Sequence, residues 1–335
     1  MLEIYDVELK VTGLTKNAIV FEHVTKQFPN ASKPAVYDTN LIIEEGSFVT
    51  ILGASGSGKT TLLKMVNRIY DMTAGKILVH DQDISKISVI ELRRNIGYVI
   101  QQIGLFPHMS IAENIATVPR ELRWDAQEIE ARIDFLLELI ELSPKDFRNR
   151  YPHQLSGGQQ QRVGLARALA GDPDIMLMDE PFGAIDAITR NSLQDEIINI
   201  QRKLNKTILF VTHDVDEALK LGDKIVVMNE GVIQQFDTPL NIITNPVNSF
   251  VSELVHSDDV VQQLSLIKAE QVMLPMTDQF ELSGHEPKVR YNDSLKDVLT
   301  EVLRGECDTV IVVGDNGTAI GWITLTEIKS YLAPH

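Results

Sequence analysis

The sequence predicts an α/β fold built on a parallel sheet, with a second, smaller domain after it. Three observations lead there. Gly53-Ala54-Ser55-Gly56-Ser57-Gly58-Lys59-Thr60 reads G-x-x-x-x-G-K-T, a phosphate-binding loop. Short apolar, β-prone runs alternate with stretches whose apolar residues recur at helical spacing, the pattern of strands wound with helices on both faces of a sheet. The length, 335 residues, exceeds one ordinary domain.

Along the chain, residues 1–17 carry no motif and form an extension of unknown role. Ala18 to Val24 alternates as a strand. Phe28 and a Pro/Asn/Ser loop lead to the strand Leu41-Ile42-Ile43, and Glu45-Gly46 turns into Phe48 to Leu52. That apolar strand feeds the phosphate loop, and Leu62, Leu63, Met65, Val66 and Ile69 mark a helix from Thr61 to Tyr70. The motif therefore lies between a buried strand and a helix start, where its mechanism needs it. Its glycines let the backbone curl around a phosphate and turn N–H groups inward, and the helix dipole adds positive potential. Lys59 is placed to reach the β- and γ-phosphates and the Thr60 hydroxyl to hold Mg²⁺, with Ser55, Gly56, Ser57, Gly58 and Thr61 completing the cradle.

Gly75 to Val79 is a strand, Leu92-Arg93-Arg94 ends a helical turn, and Tyr98-Val99-Ile100 is a strand stopping at Gln101-Gln102. Residues 103–170 read as a helical insert, with helices over Ile111 to Leu122 and Asp125 to Leu142. Leu155-Ser156-Gly157-Gly158-Gln159 opens a helix from Gln160 to Ala170, which Gly171-Asp172-Pro173 ends. The pair Gly157-Gly158 is a second anion-binding device, with Ser156 as a further donor, although a Ser-Gly cap alone is common. Ile175 to Met178 is a fully apolar strand ending in Asp179-Glu180. That places both carboxylates at the carboxyl end of a sheet strand, where open α/β folds bind ligands. Asp179 suits Mg²⁺ coordination through a water, and Glu180 suits orienting a water. A long helix covers Ile188 to Leu204, Thr207 to Val211 is a buried strand ending in Thr212-His213-Asp214, and Asp223 to Met228 and Val232 to Phe236 are two more strands.

Composition narrows the function. The net charge is −16 and the pI about 4.9, which argues against a general nucleic-acid binder. One cysteine, Cys307, excludes an internal disulfide framework and suits a reducing cytosol. No apolar run reaches transmembrane length, and Met1 to Lys16 carries Glu3, Asp6 and Glu8 rather than a signal-peptide core. The expectation is a cytoplasmic protein whose membrane role, if any, needs a partner chain.

Taken together and in order, Gly53–Thr60, Gln101, Leu155–Gln159, Asp179-Glu180, Asp186 and His213 resemble the nucleotide-binding subunit of ATP-binding cassette transporters, over residues 18–256. The resemblance implies a P-loop NTPase cassette: a parallel core sheet, an antiparallel β subdomain and a helical subdomain at about 103–170. It implies ATP and Mg²⁺ as cofactors. Phe28 then corresponds to the aromatic that stacks on adenine. Gln101 corresponds to the glutamine that joins Mg²⁺ and senses the membrane partner. Glu180 corresponds to the catalytic carboxylate, His213 to the residue at the γ-phosphate, and Asp186 to the residue linking two sites. Ser156, Gly158 and Gln159 would face ATP held by the opposite subunit, giving two sites at a head-to-tail homodimer interface. Ile185 stands where leucine is usual.

Within the family, Leu92 to Asn114, including Gln102-Ile103-Gly104-Leu105-Phe106-Pro107-His108, and Asp179 to Glu196 are similar to the ATPases of glycine betaine, carnitine and choline importers. That implies a peripheral protein on the cytoplasmic face of the membrane. It would be paired with permease subunits, touched by Phe106 to Ile115, and with an extracellular substrate-binding protein. Ergothioneine is the alternative solute. A soluble, non-transport cassette ATPase is the alternative class, but those carry two cassettes or a long coiled coil. A nucleotide sensor without turnover has no need of Glu180 and His213.

Residues 257–335 hold 13 acidic and 6 basic residues, the more acidic part of the chain per residue. Ser294 to Leu303 is amphipathic, Thr309 to Val313 and Ile320 to Ile323 are strands around an Asp315-Asn316-Gly317 turn, and Glu327 to Tyr331 is a short helix. This resembles one cystathionine-β-synthase-type motif, complete from about 288 to 332, in a small α+β regulatory domain. Thr324 and Glu327 have the spacing that binds ribose in such motifs, pointing to an adenine nucleotide or cyclic dinucleotide; the same spacing is a helix capping box. Val260 to Phe280 offers no second copy, so the lone sheet is expected to leave an apolar face for the second subunit.

Overall fold

In the computed structural model, the residues described are 16–101, 104–183, 186–256, 259–276, 286–304 and 308–332. Gln102, Ile103, Ile185, Cys307, most of the 1–17 extension and the end of the Val260–Phe280 stretch lie outside them. Contacts divide the chain into one unit up to Phe236 and another from Asp237. The boundary expected after residue 256 is thus earlier in the structure. The reason is packing: the helix Pro239–Thr244 contributes Leu240 to the core of the second unit.

The first unit has two sheets. The antiparallel one has the order β2-β1-β4-β5, with β1 Asn17–Lys26, β2 Val36–Glu44, β4 Ala74–Val79 and β5 Gln82–Asp83. The other has the order β10-β9-β3-β8-β7-β6, formed by β3 Phe48–Leu52, β6 Ile96–Val99, β7 Ile175–Asp179, β8 Thr207–Val211, β9 Lys224–Asn229 and β10 Val232–Asp237. From β6 through β7, β8 and β3 to β9 its pairing is parallel. Every residue of β3, β7 and β8 is buried. Strands covered on both faces read as continuous apolar runs, which is why these three are legible in the sequence.

The alternation of side chains splits this sheet between two cores. Ile175 and Leu177 join one core with Ile51, Leu209, the helix residues Leu62, Leu63 and Met65, and Ile19, Phe21 and Ile77 of the antiparallel sheet. Met176 and Met178 face the other core, with Phe210 and the helical insert. In that insert Ser110 and Asp125 close capping boxes at the starts of Ile111–Glu121 and Ala126–Leu139. Asp125 is therefore a cap rather than the first helical residue, and the second helix stops at Leu139 rather than Leu142.

Two further helices, Gly157–Leu169 and Ala187–Leu204, share an apolar core and enclose Arg162 and Glu196 between them. Arg162 reaches Glu196 at 3.2 Å, and the Glu196 side chain is 8% exposed. Burial pushes the Glu196 carboxyl up to about 7, against the opposing pull of Arg162. A carboxyl raised on folding is protonated in the native state where the unfolded chain is ionised. Stability from this group is therefore lost as pH rises from the ordinary carboxylate range to about 7. Glu196→Gln should remove that component. The difference in unfolding free energy, wild type minus variant, should fall between pH 5 and 7 by at most about 1.4 kcal/mol per pH unit in denaturant titrations. A flat difference would show that Glu196 stays ionised.

The second unit has a four-stranded sheet ordered β11-β14-β13-β12, from β11 Leu274–Pro275, β12 Lys288–Arg290, β13 Thr309–Val313 and β14 Ala319–Thr324. Among the described residues, the sheet face expected to need a second subunit is covered by the chain itself. Val310, Val312 and Ile323 are fully buried, and Leu264, Ile267 and Ala269 from the chain's own helical lead-in share their core with Val298 and Ile328. The sequence offers Val272 and Met273 as a lead-in but not its helices, because Val260–Leu266 and Ala269–Val272 are too short for a clear period.

Candidate functional site

The phosphate loop runs from the end of β3 to the helix Lys59–Val66. Gly58, its N-cap residue, has φ +101°, and a Cβ there would strike the carbonyl oxygen of Ala35. Only glycine fits both demands. The same approach lays the segment after Phe28 along the loop. The Phe28 ring is half-buried, edge-on to Tyr70 at 5.2 Å, with the Lys26 ammonium 5.0 Å from its centre. Lys59 is 5% exposed, and its ammonium donates to the carbonyls of Gly53 at 2.8 Å and Ala54 at 2.9 Å. Burial pulls its pKa down, while Glu180 and Asp179 pull it up. The Ser57 hydroxyl is buried with no hydrogen-bond partner among the described residues. A buried ammonium bonded only to neutral carbonyls and a buried hydroxyl with no partner among the described residues fit the anionic oxygens of a phosphate.

β7 lies beside β8, which pairs with β3, so its end reaches the loop. Thr60 donates its hydroxyl to Asp179 at 2.8 Å, and Lys64 lies 3.7 Å from the other Asp179 oxygen. Asp179 is 6% exposed. Next to it Glu180 has φ +45°, a left-handed backbone that costs of order 1–3 kcal/mol for a residue with a side chain. Its amide donates to the Val211 carbonyl at 3.0 Å. One oxygen of its carboxylate receives Gln101 Nε2 at 3.3 Å and lies 3.2 Å from Nδ1 of His213. His213 itself is 62% exposed. The structure thus gathers Lys59, Thr60, Gln101, Asp179, Glu180 and His213, which come from four separate parts of the chain.

Ser156, Gly157, Gly158 and Gln159 form a different surface. The helix begins at Gly157, not Gln160: Ser156 accepts from the Gln159 amide at 3.3 Å, and Gln159 accepts from the Ser156 amide at 3.0 Å. This capping box holds a turn of two glycines that would otherwise resist helix formation. Ser156 and Gly157 are exposed. A Cβ on Gly158 would meet Thr189 at 2.5 Å, so the turn is seated on the start of Ala187–Leu204. Asp186 caps that helix by accepting from the Thr189 amide at 3.1 Å.

Next to His213, a helix escaped the sequence reading. Val215–Leu221 is a helix capped by Asp214, and it carries the buried acid Glu217 close behind His213. The spacing Asp214-x-x-Glu217 was the available signal. In the second unit Thr324 donates its hydroxyl to Glu327, whose carboxylate also accepts from the Thr324 amide at 3.0 Å, at the start of the helix Leu325–Leu332.

Among the described residues no helix is long and apolar enough to cross a membrane. Likewise no cluster of three His, Cys, Asp or Glu side chains could hold a metal alone.

The family model described as "ABC transporter" matches residues 36–183. The chain is 46% identical over 309 residues to the carnitine transport ATP-binding protein OpuCA of Listeria monocytogenes, covering 92% of this chain and 75% of that one. It is 45% identical over 312 residues to the glycine betaine uptake system ATP-binding protein YehX of Escherichia coli, covering 92% and 98%. Among solved structures it is similar to a dimeric ATP-binding cassette in a post-hydrolysis state bound to ADP and Pi. That match has a TM-score of 0.59 and 33% identity, covering 66% of this chain and 98% of that one. With the loop, the carboxylates and these relatives in agreement, the chain belongs to the ABC transporter family of ATP-binding proteins, ATPases of the phosphate-loop class.

Proposed function

We propose that this protein hydrolyses ATP to drive import of a quaternary ammonium solute, of the class of glycine betaine, carnitine and choline. The observation carrying the chemistry is the Glu180 carboxylate bracketed by Gln101 and His213 beside the Thr60–Asp179 pair. The solute class rests on the relatives' names and on their identity over nearly the whole chain.

The residues supply the steps as follows. Phosphate oxygens entering the loop outcompete neutral carbonyls for the Lys59 ammonium and give the Ser57 hydroxyl a partner. The oxygen donors of Thr60, Asp179 and Gln101 suit Mg²⁺, which takes few protein ligands and otherwise waters and phosphates. Mg²⁺ held there would neutralise charge on the β- and γ-oxygens. Glu180 orients the attacking water and accepts its proton, and His213 donates a hydrogen bond to the γ-phosphate. Phe28 offers its ring to adenine. Two chains pair head to tail, so that Ser156, Gly158 and Gln159 of one close the loop of the other and Asp186 connects the sites. The ATPase sits peripherally on the cytoplasmic face of a permease, with solute delivered by an extracellular binding protein.

The test is uptake of radiolabelled glycine betaine, carnitine and choline by cells in which this chain is the only ATPase for its permease. Uptake of at least one should vanish with Lys59→Ala. Full uptake of all three despite lost ATPase activity would overturn the transport role.

For the second unit, the closed Thr324–Glu327 pair supports a helix cap rather than a ribose site. Calorimetric titration of full-length Lys59→Ala with adenine nucleotides and cyclic dinucleotides should therefore be the same with and without Thr324→Ala, any residual heat coming from the weakened cassette site. Saturable binding abolished by Thr324→Ala would reinstate a regulatory nucleotide there.

A further inference from the structure

His213 is exposed, and apart from its contact with Glu180 its position depends on the backbone on either side of it. That backbone is unusually constrained. The Thr212 amide donates to the Ile51 carbonyl at 3.1 Å, fixing the turn to the strand that feeds the phosphate loop. The Asp214 amide donates to the Thr212 hydroxyl at 3.0 Å, which closes a ring over the His213 peptide. The Thr212 hydroxyl in turn donates to Glu217 at 2.7 Å. The Glu217 amide donates to Asp214 at 3.1 Å. Both residues flanking His213 are thus held, through side chain or backbone, by one residue.

Glu217 is 6% exposed, although it lies in the first turn of a short helix, where an acid is ordinarily left in water. Burying a carboxylate costs several kcal/mol unless it is well partnered. Its partners are the Thr212 hydroxyl and Arg190, whose Nε lies 3.8 Å from Glu217 and whose Nη1 lies 3.7 Å from Asp214. Burial still pushes the Glu217 carboxyl up, with the Thr212 hydrogen bond opposing. Arg190 sits one turn into the helix that Asp186 caps. A buried acid kept at this cost, with its contacts converging on the two neighbours of one exposed histidine, is explained by the histidine rather than by packing.

We propose that Glu217 is the positioning residue for His213, clamping Thr212 and Asp214 so that the imidazole is held at Glu180 before substrate arrives. Its connection to Arg190 ties that clamp to the helix behind Asp186. The proposal rests on the assignment of His213 to hydrolysis given above.

The test is a double-mutant cycle in the full chain, read as kcat and KM for ATP by single-turnover and steady-state phosphate release. The variants are His213→Ala, Glu217→Ala, Glu217→Gln and the double alanine variant. Glu217→Ala should lower kcat about tenfold or more and leave KM within about twofold, because the phosphate loop is untouched. Glu217→Gln keeps an acceptor for Thr212 and should recover most of that loss. In the His213→Ala background, Glu217→Ala should have almost no further effect. Equal losses in both backgrounds, or a raised KM at unchanged kcat, would overturn the clamp alone. His213→Ala at the wild-type rate would overturn the site assignment and the clamp together. If Glu217→Ala does not fold, the cycle is run with Thr212→Val, which removes the hydroxyl that joins Glu217 to the Asp214 amide, and equal losses with and without His213→Ala overturn the proposal there too.

Discussion

Glu180→Gln is expected to bind ATP and to release phosphate at least ~10²-fold more slowly than the wild type, the lower end for loss of a positioned general base. The amide is nearly isosteric and still accepts a hydrogen bond from Gln101. What it loses is proton affinity. Nothing in the phosphate cradle depends on that charge for contact: Lys59 is held by Gly53 and Ala54, and Thr60 by Asp179. Binding by fluorescent nucleotide and phosphate release by coupled assay separate the two effects. Phosphate release near the wild-type rate would remove Glu180 from catalysis.

Lys59→Ala acts on the opposite term. It removes the buried cation from a loop that must hold a triphosphate, and it leaves the Gly53 and Ala54 carbonyls without their present donor. Hydrogen bonds to charged groups are worth about 1.5–3 kcal/mol, so ATP affinity should fall about 10- to 100-fold. Calorimetry checks this, with melting in the absence of nucleotide as the control for folding. Unchanged affinity would mean that the backbone amides and helix dipole carry the phosphates without Lys59.

How far the sequence could be read follows from which elements are buried on both faces. β3, β7 and β8 are five-residue strands, apolar except for Thr50, Asp179 and Thr207, and each ends at or beside a site residue: Gly53, Glu180 and Thr212. Burial on both faces makes four of the five positions apolar in each, so the ends of these strands, and the site at them, were visible. β2 was seen only as Leu41 to Ile43. Its first half, Tyr37-Asp38-Thr39-Asn40, buries only Thr39 and is otherwise exposed on a one-sided sheet, so it carries no apolar run. β5 and β11 are two residues each, too short to carry a period. Glu217 was passed over because a buried acid betrays itself only through its partners, and Thr212 and Arg190 come from a neighbouring turn and a distant helix. The start of the helix Gly157–Leu169 was misplaced because Gly157 and Gly158 are poor helix formers; the local signal that outweighs them is the Ser156-x-x-Gln159 capping box. At the tail, part of the cover for Val310 and Val312 comes from Val260–Leu266 and Ala269–Val272, helices too short to show a period.

The central claim is that ATP is hydrolysed at sites shared between two copies of this chain, each combining the Gly53–Thr61 loop of one with the Ser156–Gln159 turn of the other. Mixed dimers test it most directly. One chain carries Lys59→Ala and its partner Ser156→Arg, with different tags used to purify the hybrid. Shared sites put both defects in one site and leave the other intact. The hybrid should then bind one ATP at about the wild-type affinity and release phosphate well above either pure mutant dimer. A hybrid that cannot be told apart from both pure mutant dimers would contradict the shared-site account.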